Sequence, residues 1–351
     1  MALHLDAHPT GHVAEEFAAI VQERERAALS PLATRSYPAE RSRPEPDCGL
    51  RTPFQRDRDR IVHSKSFRRL KHKTQVFVAP QGDHYRTRLT HTLEVTQVSR
   101  TVARALRLNE DLVEAIGLGH DLGHPPFGHI GEAVLDTCAT ERYGRHFRHF
   151  EHSLRVVDQV ERDGDGLNLT EPVRDGILRH SSRSEPPRTL EGRIVRLVDR
   201  VAYINHDIDD ALRAGVLAPG ELPSGPIEAL GGTGSDRIDA LVHDLVEHSA
   251  RAGDIVQGEE AGAAMGELRD FMFEMVYLAP AARREHTKIE SVLKALFALY
   301  ADQPDLIPAP ATPHLADADP ADRVIDYLAG MTDRFAIRAF EELCVPRAFT
   351  P

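Results

Sequence analysis

Residues 117–132 read GLGHDLGHPPFGHIGE, a stretch that carries His120, Asp121, His124, His129 and Glu132 among glycines and prolines. That mixture is a poor filling for a packed core and a good one for holding a cation and moving protons. His120 and Asp121 close a helical run that ends in glycine. Neighbours on a helix point about 100° apart, so the pair can serve one centre only where the helix stops and the chain turns. His91, in RLTHTLEV, lies one helix earlier. Further on, GRIVRLVDRVAYINHDIDD spaces Asp199, Tyr203 and Asp207 four residues apart, on one side of a helix. Asp199 has Leu197, Val198 and Val201 around it, and a carboxylate in apolar company is costly unless something pairs with it. A divalent metal would be that partner, because two imidazoles and two carboxylates form a mixed nitrogen and oxygen shell suited to Mn, Fe, Zn or Mg. With 19 histidines in the chain, several must serve ordinary packing instead.

The elements that carry these side chains read as helices. Apolar residues recur at helical spacing in 14–29, 57–71, 88–106, 110–120, 149–162, 190–214, 236–248, 265–277, 286–300 and 321–343. Asn109, before EDLVEAIGLG, reads as an N-cap with acids in the first turn. The best strand-like run is QVFVA at 75–79. Three stretches rich in proline and glycine, 36–50, 217–236 and 304–320, read as loops or linkers. The expected class is all-α with few or no strands.

Composition narrows the function classes. A hydrophobic fraction of 41% and a charged fraction of 28% describe an ordinary globular chain. No apolar run approaches the roughly 18 residues of a membrane span, and MALHLDAHPT lacks the basic and then apolar order of a secretion signal, so the expected location is cytoplasmic. Cys48, Cys138 and Cys344 are far apart and form no CxxC pair, which points to buried reduced thiols. A net charge of −12 argues against a protein built to coat nucleic acid. Between Arg51 and Arg107, however, 14 Arg and Lys residues meet only four acids, an island that suggests an anionic ligand focused at one place.

The order His91, His120-Asp121, Asp199 resembles the H…HD…D signature of HD-domain phosphohydrolases. More specifically, RDRDRIVHSKSFRRLKHKTQVF, GDHYRTRLTHTLEV, AIGLGHDLGHPPFGHIGE, GLNLTEPVRDGIL and the Asp199 helix together resemble the deoxynucleoside triphosphate triphosphohydrolases, the dGTPase-like proteins. The likeness runs from about Arg51 to Asp210 and resumes weakly at VYLAPAARREHTKIESVLKALFALY. It implies an HD-domain helical fold with peripheral helices and a metal held by His91, His120, Asp121 and Asp199, with Mn or Mg foremost and Fe or Zn also admissible. The implied reaction is hydrolysis of a dNTP at the α-phosphorus to a deoxynucleoside and triphosphate. By the same resemblance His129, Glu132 and His149 are catalytic, while Gln75, Arg88, Tyr203 and Asp207 touch the substrate. His124 takes a supporting or purely structural role. His152 stands where the family pattern leads one to expect glutamine or asparagine, and the basic groups for the triphosphate tail have no counterpart that the sequence reveals.

The expected organisation is an N-terminal helix and linker over 1–50, an HD core over 51–215 and a C-terminal helical region over 216–351 packing on that core. Proteins of this kind imply a homo-oligomer and a nucleotide effector as partners beside the dNTP. Two rival readings stand beside the triphosphohydrolase. One is an HD phosphohydrolase for another phosphorylated nucleotide; the other is a non-catalytic binder of single-stranded nucleic acid that uses the basic island.

Overall fold

The computed structural model describes residues 13–75, 86–277, 279–308 and 318–346. Fifteen α-helices follow one another among them: α1 Val13–Ala28, α2 Pro53–Val62, α3 Lys65–Arg69, α4 Arg88–Ala105, α5 Glu110–Gly119, α6 Gly128–Tyr143, α7 His149–Arg155, α8 Glu171–Arg179, α9 Leu190–Arg213, α10 Ser224–Leu230, α11 Gly234–Ala252, α12 Glu259–Met272, α13 Pro280–Asp302, α14 Pro320–Ala329 and α15 Asp333–Cys344. Two isolated bridges, Arg41 with Thr170 and Thr74 with Thr87, are the only β pairing among the described residues. The all-α class expected from periodicity is therefore the observed one. No described helix is long and apolar enough to cross a membrane.

Three buried clusters organise the chain. The first joins α4, α5, α8 and the start of α9 through Val95, Leu112, Ile116, Ile177, Ile194 and Val198. The second packs α6 against α13, α14 and α15 through Leu135, Leu293, Phe297, Leu328 and Ala336. The third sets the end of α9 against α10, α11 and α12 through Ile208, Leu230, Leu241 and Leu268. Each apolar stripe recurs at helical spacing and faces its neighbours, which is where most helical stability comes from. Helix α5 lies very close to α4: a Cβ on Gly117 would stand 2.6 Å from the Thr96 hydroxyl. That approach lets the residues at the end of α5 meet the first turn of α4. Asn109 caps α5 as expected, its side chain accepting the Asp111 and Leu112 amides.

Several boundaries differ from the sequence expectation. The run 57–71 is broken at Ser64, whose hydroxyl accepts the Phe67 amide and restarts the chain as α3. The run 321–343 is two helices separated at Gly330, with Thr332 capping the second. The stretch 217–236 contains α10 in spite of its prolines and glycines, because Pro226 and Leu230 bury themselves in the third cluster's neighbourhood. The strand-like run at 76–79 lies outside the described residues. Of the cysteines only Cys138 is buried; Cys48 and Cys344 are half-buried and all three are free.

Candidate active site

Helices α4, α5 and α9 pack against one another and bring together side chains from three distant parts of the chain. His91 comes from the first turn of α4, His120 and Asp121 follow the end of α5, and Asp199 sits within α9. His91 Nε2 is 3.0 Å from Asp199 Oδ1, and His120 Nε2 is 3.7 Å from the same oxygen. One ligand atom from each of His91, His120 and Asp199 lies within 4.8 Å of the others. Atoms that share an ion at about 2.0–2.2 Å sit roughly 3–4 Å apart, so this trio has the spacing of a coordination shell. The His120 tautomer agrees. His120 Nδ1 donates to the Gly117 carbonyl at 2.7 Å, which leaves a lone pair on Nε2, and that buried Nε2 has no hydrogen-bond partner. A buried lone pair facing a carboxylate needs a cation between them. The donor set thus fits a divalent metal.

Asp121 stands at the edge of this trio. Its Oδ1 is 3.9 Å from His120 Nε2 and 3.8 Å from His124 Nε2, while its Oδ2 accepts Arg88 Nη1 at 2.6 Å. It also forms a second close group with His124 and His149. Burial pushes both carboxyls up, but their partners prevail: the hydrogen bond from His91 holds Asp199 below the usual carboxylate range, and Arg88 holds Asp121 well below it. Burial also drives the His124 ring well below its ordinary value, helped by Arg88 and His149, so it stays neutral.

After Asp121 the chain turns through Phe127 (φ +63°) and Gly128 (φ +60°) into α6. At Gly131 a Cβ would stand 1.9 Å from the Pro126 carbonyl oxygen, so only glycine permits the turn to fold back on the helix. His129 emerges exposed, with Nδ1 3.5 Å from Glu132 Oε2. The buried Glu132 does more than orient His129. Its Oε1 accepts the His149 amide at 3.1 Å and lies 3.0 Å from His149 Nδ1, and its Oε2 accepts Arg183 Nη2 at 3.0 Å. Burial opposes ionisation of Glu132, but the bonds from His129 and His149 outweigh it and hold the carboxyl far below its ordinary range. The His149 ring stacks on His124 at 4.3 Å and meets His180, Nε2 to Nε2, at 3.2 Å.

A cavity of about 210 Å³ opens beside these groups, lined among others by Gln75, Arg88, His91, Asp121, His129, His149, Asp199 and Tyr203. Arg183, Arg196, Arg200 and Arg269 complete its wall. Arg88 keeps Nε and Nη2 buried without a partner. Asp207 does not line the cavity; it lies one turn beyond Tyr203, where Tyr277 donates its hydroxyl to Oδ2. Burial is the main reason the Asp207 carboxyl is pushed up to about 7.

The basic island does not act as a unit. Arg51 pairs with Asp59, Arg60 with Glu45, Lys65 with Asp163, and Arg100 and Arg104 with Glu110. Of its 14 cations only Arg88 reaches the cavity. The other arginines of the wall come from the loop before α9, from α9 itself and from α12. No sequence pattern marked Arg183, Arg200 or Arg269, nor His180 within GILRHSSR, because each is placed by packing rather than by spacing. His152 turns away from the cavity: its Nδ1 meets the Gly123 carbonyl and its Nε2 meets Asp326, each at 3.1 Å.

The chain is similar to known proteins along nearly its whole length. Residues 88–204 match the HD domain and residues 255–342 match the phosphohydrolase-associated domain. A deoxyguanosinetriphosphate triphosphohydrolase-like protein of Caldanaerobacter subterraneus subsp. tengcongensis is 51% identical, the alignment covering 93% of this chain and 95% of that one. Proteins of the same description from Desulfatibacillum aliphaticivorans and Clostridium perfringens (strain 13) are 46% and 48% identical, covering 93% and 86% of this chain and 97% and 90% of theirs. With the ordered motifs, the helical fold and the clustered histidines and aspartates in hand, the chain belongs to the deoxyguanosinetriphosphate triphosphohydrolase-like family of HD-domain phosphohydrolases.

Proposed function

We propose that the protein is a metal-dependent dNTP triphosphohydrolase, which breaks the bond between the α-phosphorus and the 5′-oxygen and releases a deoxynucleoside and intact triphosphate. The observation that carries this reading is that one cavity is lined both by His91 and Asp199, which share a ligand cluster with His120, and by Arg88, Arg183, Arg200 and Arg269. One side is equipped for a cation and the other for a chain of phosphates.

In this reading His91, His120, Asp121 and Asp199 hold the metal, Mn or Mg, which when bound supplies charge to an α-phosphate oxygen and acidifies water. Arg88, fixed to Asp121 through Nη1, offers its free Nη2 to a phosphoryl oxygen. The water oxygen ends on phosphorus, and the departing 5′-oxygen takes a proton. His129 and His149 carry out that proton traffic, and Glu132, bonded to both rings, orients them. Tyr203, which lines the cavity, packs on the sugar and disfavours a 2′-hydroxyl, and Asp207, one turn behind it and bonded to Tyr277, reaches the 3′-hydroxyl only if substrate binding draws it toward the cavity. Gln75, whose buried Oε1 lacks a partner, contacts the base or sugar. A cytoplasmic site of action belongs to the same reading.

The test is incubation of the Mn-loaded protein with each dNTP and NTP, followed by ion-exchange separation. Tripolyphosphate from dNTPs and none from NTPs is the expected result. Pyrophosphate or single phosphate as the released anion contradicts the proposal and favours another phosphohydrolase chemistry.

A further inference from the structure

The turn that leads to His129 is fastened from the far end of the chain. Two successive left-handed residues, Phe127 and Gly128, make a conformation that persists only where the surroundings over-determine it. Two buried side chains do so. At the start of the turn, Lys73 Nζ donates to the His124 carbonyl at 2.5 Å and to the Ala329 carbonyl at 2.8 Å. At its end, Asp333 Oδ1 accepts the Phe127 amide at 2.9 Å, while Oδ2 accepts the Thr74 amide at 2.9 Å. Lys73 is 3% exposed and Asp333 2%.

The tie is not explained by the needs of the helices it comes from. Ala329 ends α14 and Asp333 begins α15, yet the cap of α15 is Thr332, whose hydroxyl accepts the Phe335 amide. Asp333 therefore spends neither oxygen on its own helix. Both go to backbone amides, one of the left-handed Phe127 itself and one of Thr74, next to Gln75, which lines the cavity.

We infer that Asp333 is a positioning residue for turnover: with Lys73 it transmits the placement of α14 and α15 to the turn that aims His129 and Glu132. This rests on the catalytic reading of those two residues. It gives the C-terminal helices a part in the chemistry without any contact to substrate, since a misplacement of about 1 Å can cost on the order of a hundredfold in rate.

The experiment compares Asp333→Ala and Asp333→Asn with the wild-type full chain. Three quantities are read: kcat and KM for a dNTP substrate, Mn affinity, and hydrogen exchange at the Phe127 and Thr74 amides. The expected result for the alanine variant is a fall in kcat of about tenfold to a hundredfold, with KM and Mn affinity within about twofold and both amides losing protection. Asparagine, which keeps one acceptor oxygen, protects one amide and falls between. Unchanged kcat, or unchanged protection of the Phe127 amide, overturns the proposal; so does a loss shared equally by kcat, KM and Mn affinity. If the alanine variant does not fold, the asparagine variant decides on the same readouts. If the wild type turns over no nucleotide, the triphosphohydrolase reading fails, while amide exchange still decides whether Asp333 fixes the turn.

Discussion

His149 Nε2 and His180 Nε2 face each other across 3.2 Å. His180 Nδ1 lies 2.7 Å from the Ile177 carbonyl, which can only accept, so His180 carries its hydrogen there and presents a lone pair to His149. Burial, with His120 and His149 nearby, drives the His180 ring down to about 3, and it stays neutral at ordinary pH. The hydrogen between the two rings therefore belongs to His149, whose other nitrogen faces the Glu132 carboxylate.

Replacing His180 by phenylalanine removes the neutral acceptor and leaves a buried donor unpaired, at a cost of about 1–3 kcal/mol. Steady-state assays are expected to show a drop in kcat of roughly tenfold or more, with little change in KM. An unchanged kcat would show that the His149 to His180 contact has no part in turnover.

Metal dependence is expected to run through Asp199. Mn at a hundred times its dissociation constant adds about 2.7 kcal/mol of stability to a protein that binds it only when folded. Thermal melts should therefore move up by several degrees with Mn in the wild type and stay put in Asp199→Ala. Chelation should abolish turnover and Mn should restore it. An Asp199→Ala protein that keeps the full metal-dependent shift would remove Asp199 from the ligand set.

The Asp207 carboxyl ties the stability of the fold to pH. Its folded value, about 7, lies above the unfolded carboxyl value of 3.8. Between those limits the folded state holds a proton that the unfolded state has lost, so stability falls as pH rises through the interval and levels off above 7. Asp207→Asn lacks this penalty. Raising pH from about 5 to about 8 should depress the wild-type melting temperature by a few degrees more than that of the variant. Parallel curves would mean that Asp207 is already ionised in the fold.

Gly131→Ala drives a methyl group into the Pro126 carbonyl, a backbone neighbour that cannot swing aside. Overpacking of this kind costs about 1–3 kcal/mol, and here it also shifts the turn before His129. Denaturant titration and kcat should both fall. A variant as stable and as active as the wild type would show that the turn is softer than its backbone suggests.

The chemistry was legible in the sequence wherever it depended on neighbours along the chain. His120-Asp121 at the end of a helix, and Asp199, Tyr203 and Asp207 at helical spacing, announce themselves because periodicity is local. His180, Arg183, Arg200 and Arg269 were silent, since each reaches the cavity only after α8, α9 and α12 have packed. The link from Lys73 and Thr74 to Ala329 and Asp333 spans more than 250 residues, and no local pattern can encode it. The basic island misled for the converse reason: charges close in sequence were dispersed onto separate acids by the fold. Glu132 stands three residues from His129, yet its closer bonds go to His149, which is 17 residues away.

The central claim is that water attacks phosphorus at the α position beside the His91, His120 and Asp199 cluster. Turnover of a dNTP in heavy-oxygen water, with both products examined by mass spectrometry, addresses it directly. The label is predicted in the tripolyphosphate and absent from the deoxynucleoside. Label in the deoxynucleoside, or release of pyrophosphate in place of tripolyphosphate, would contradict the account.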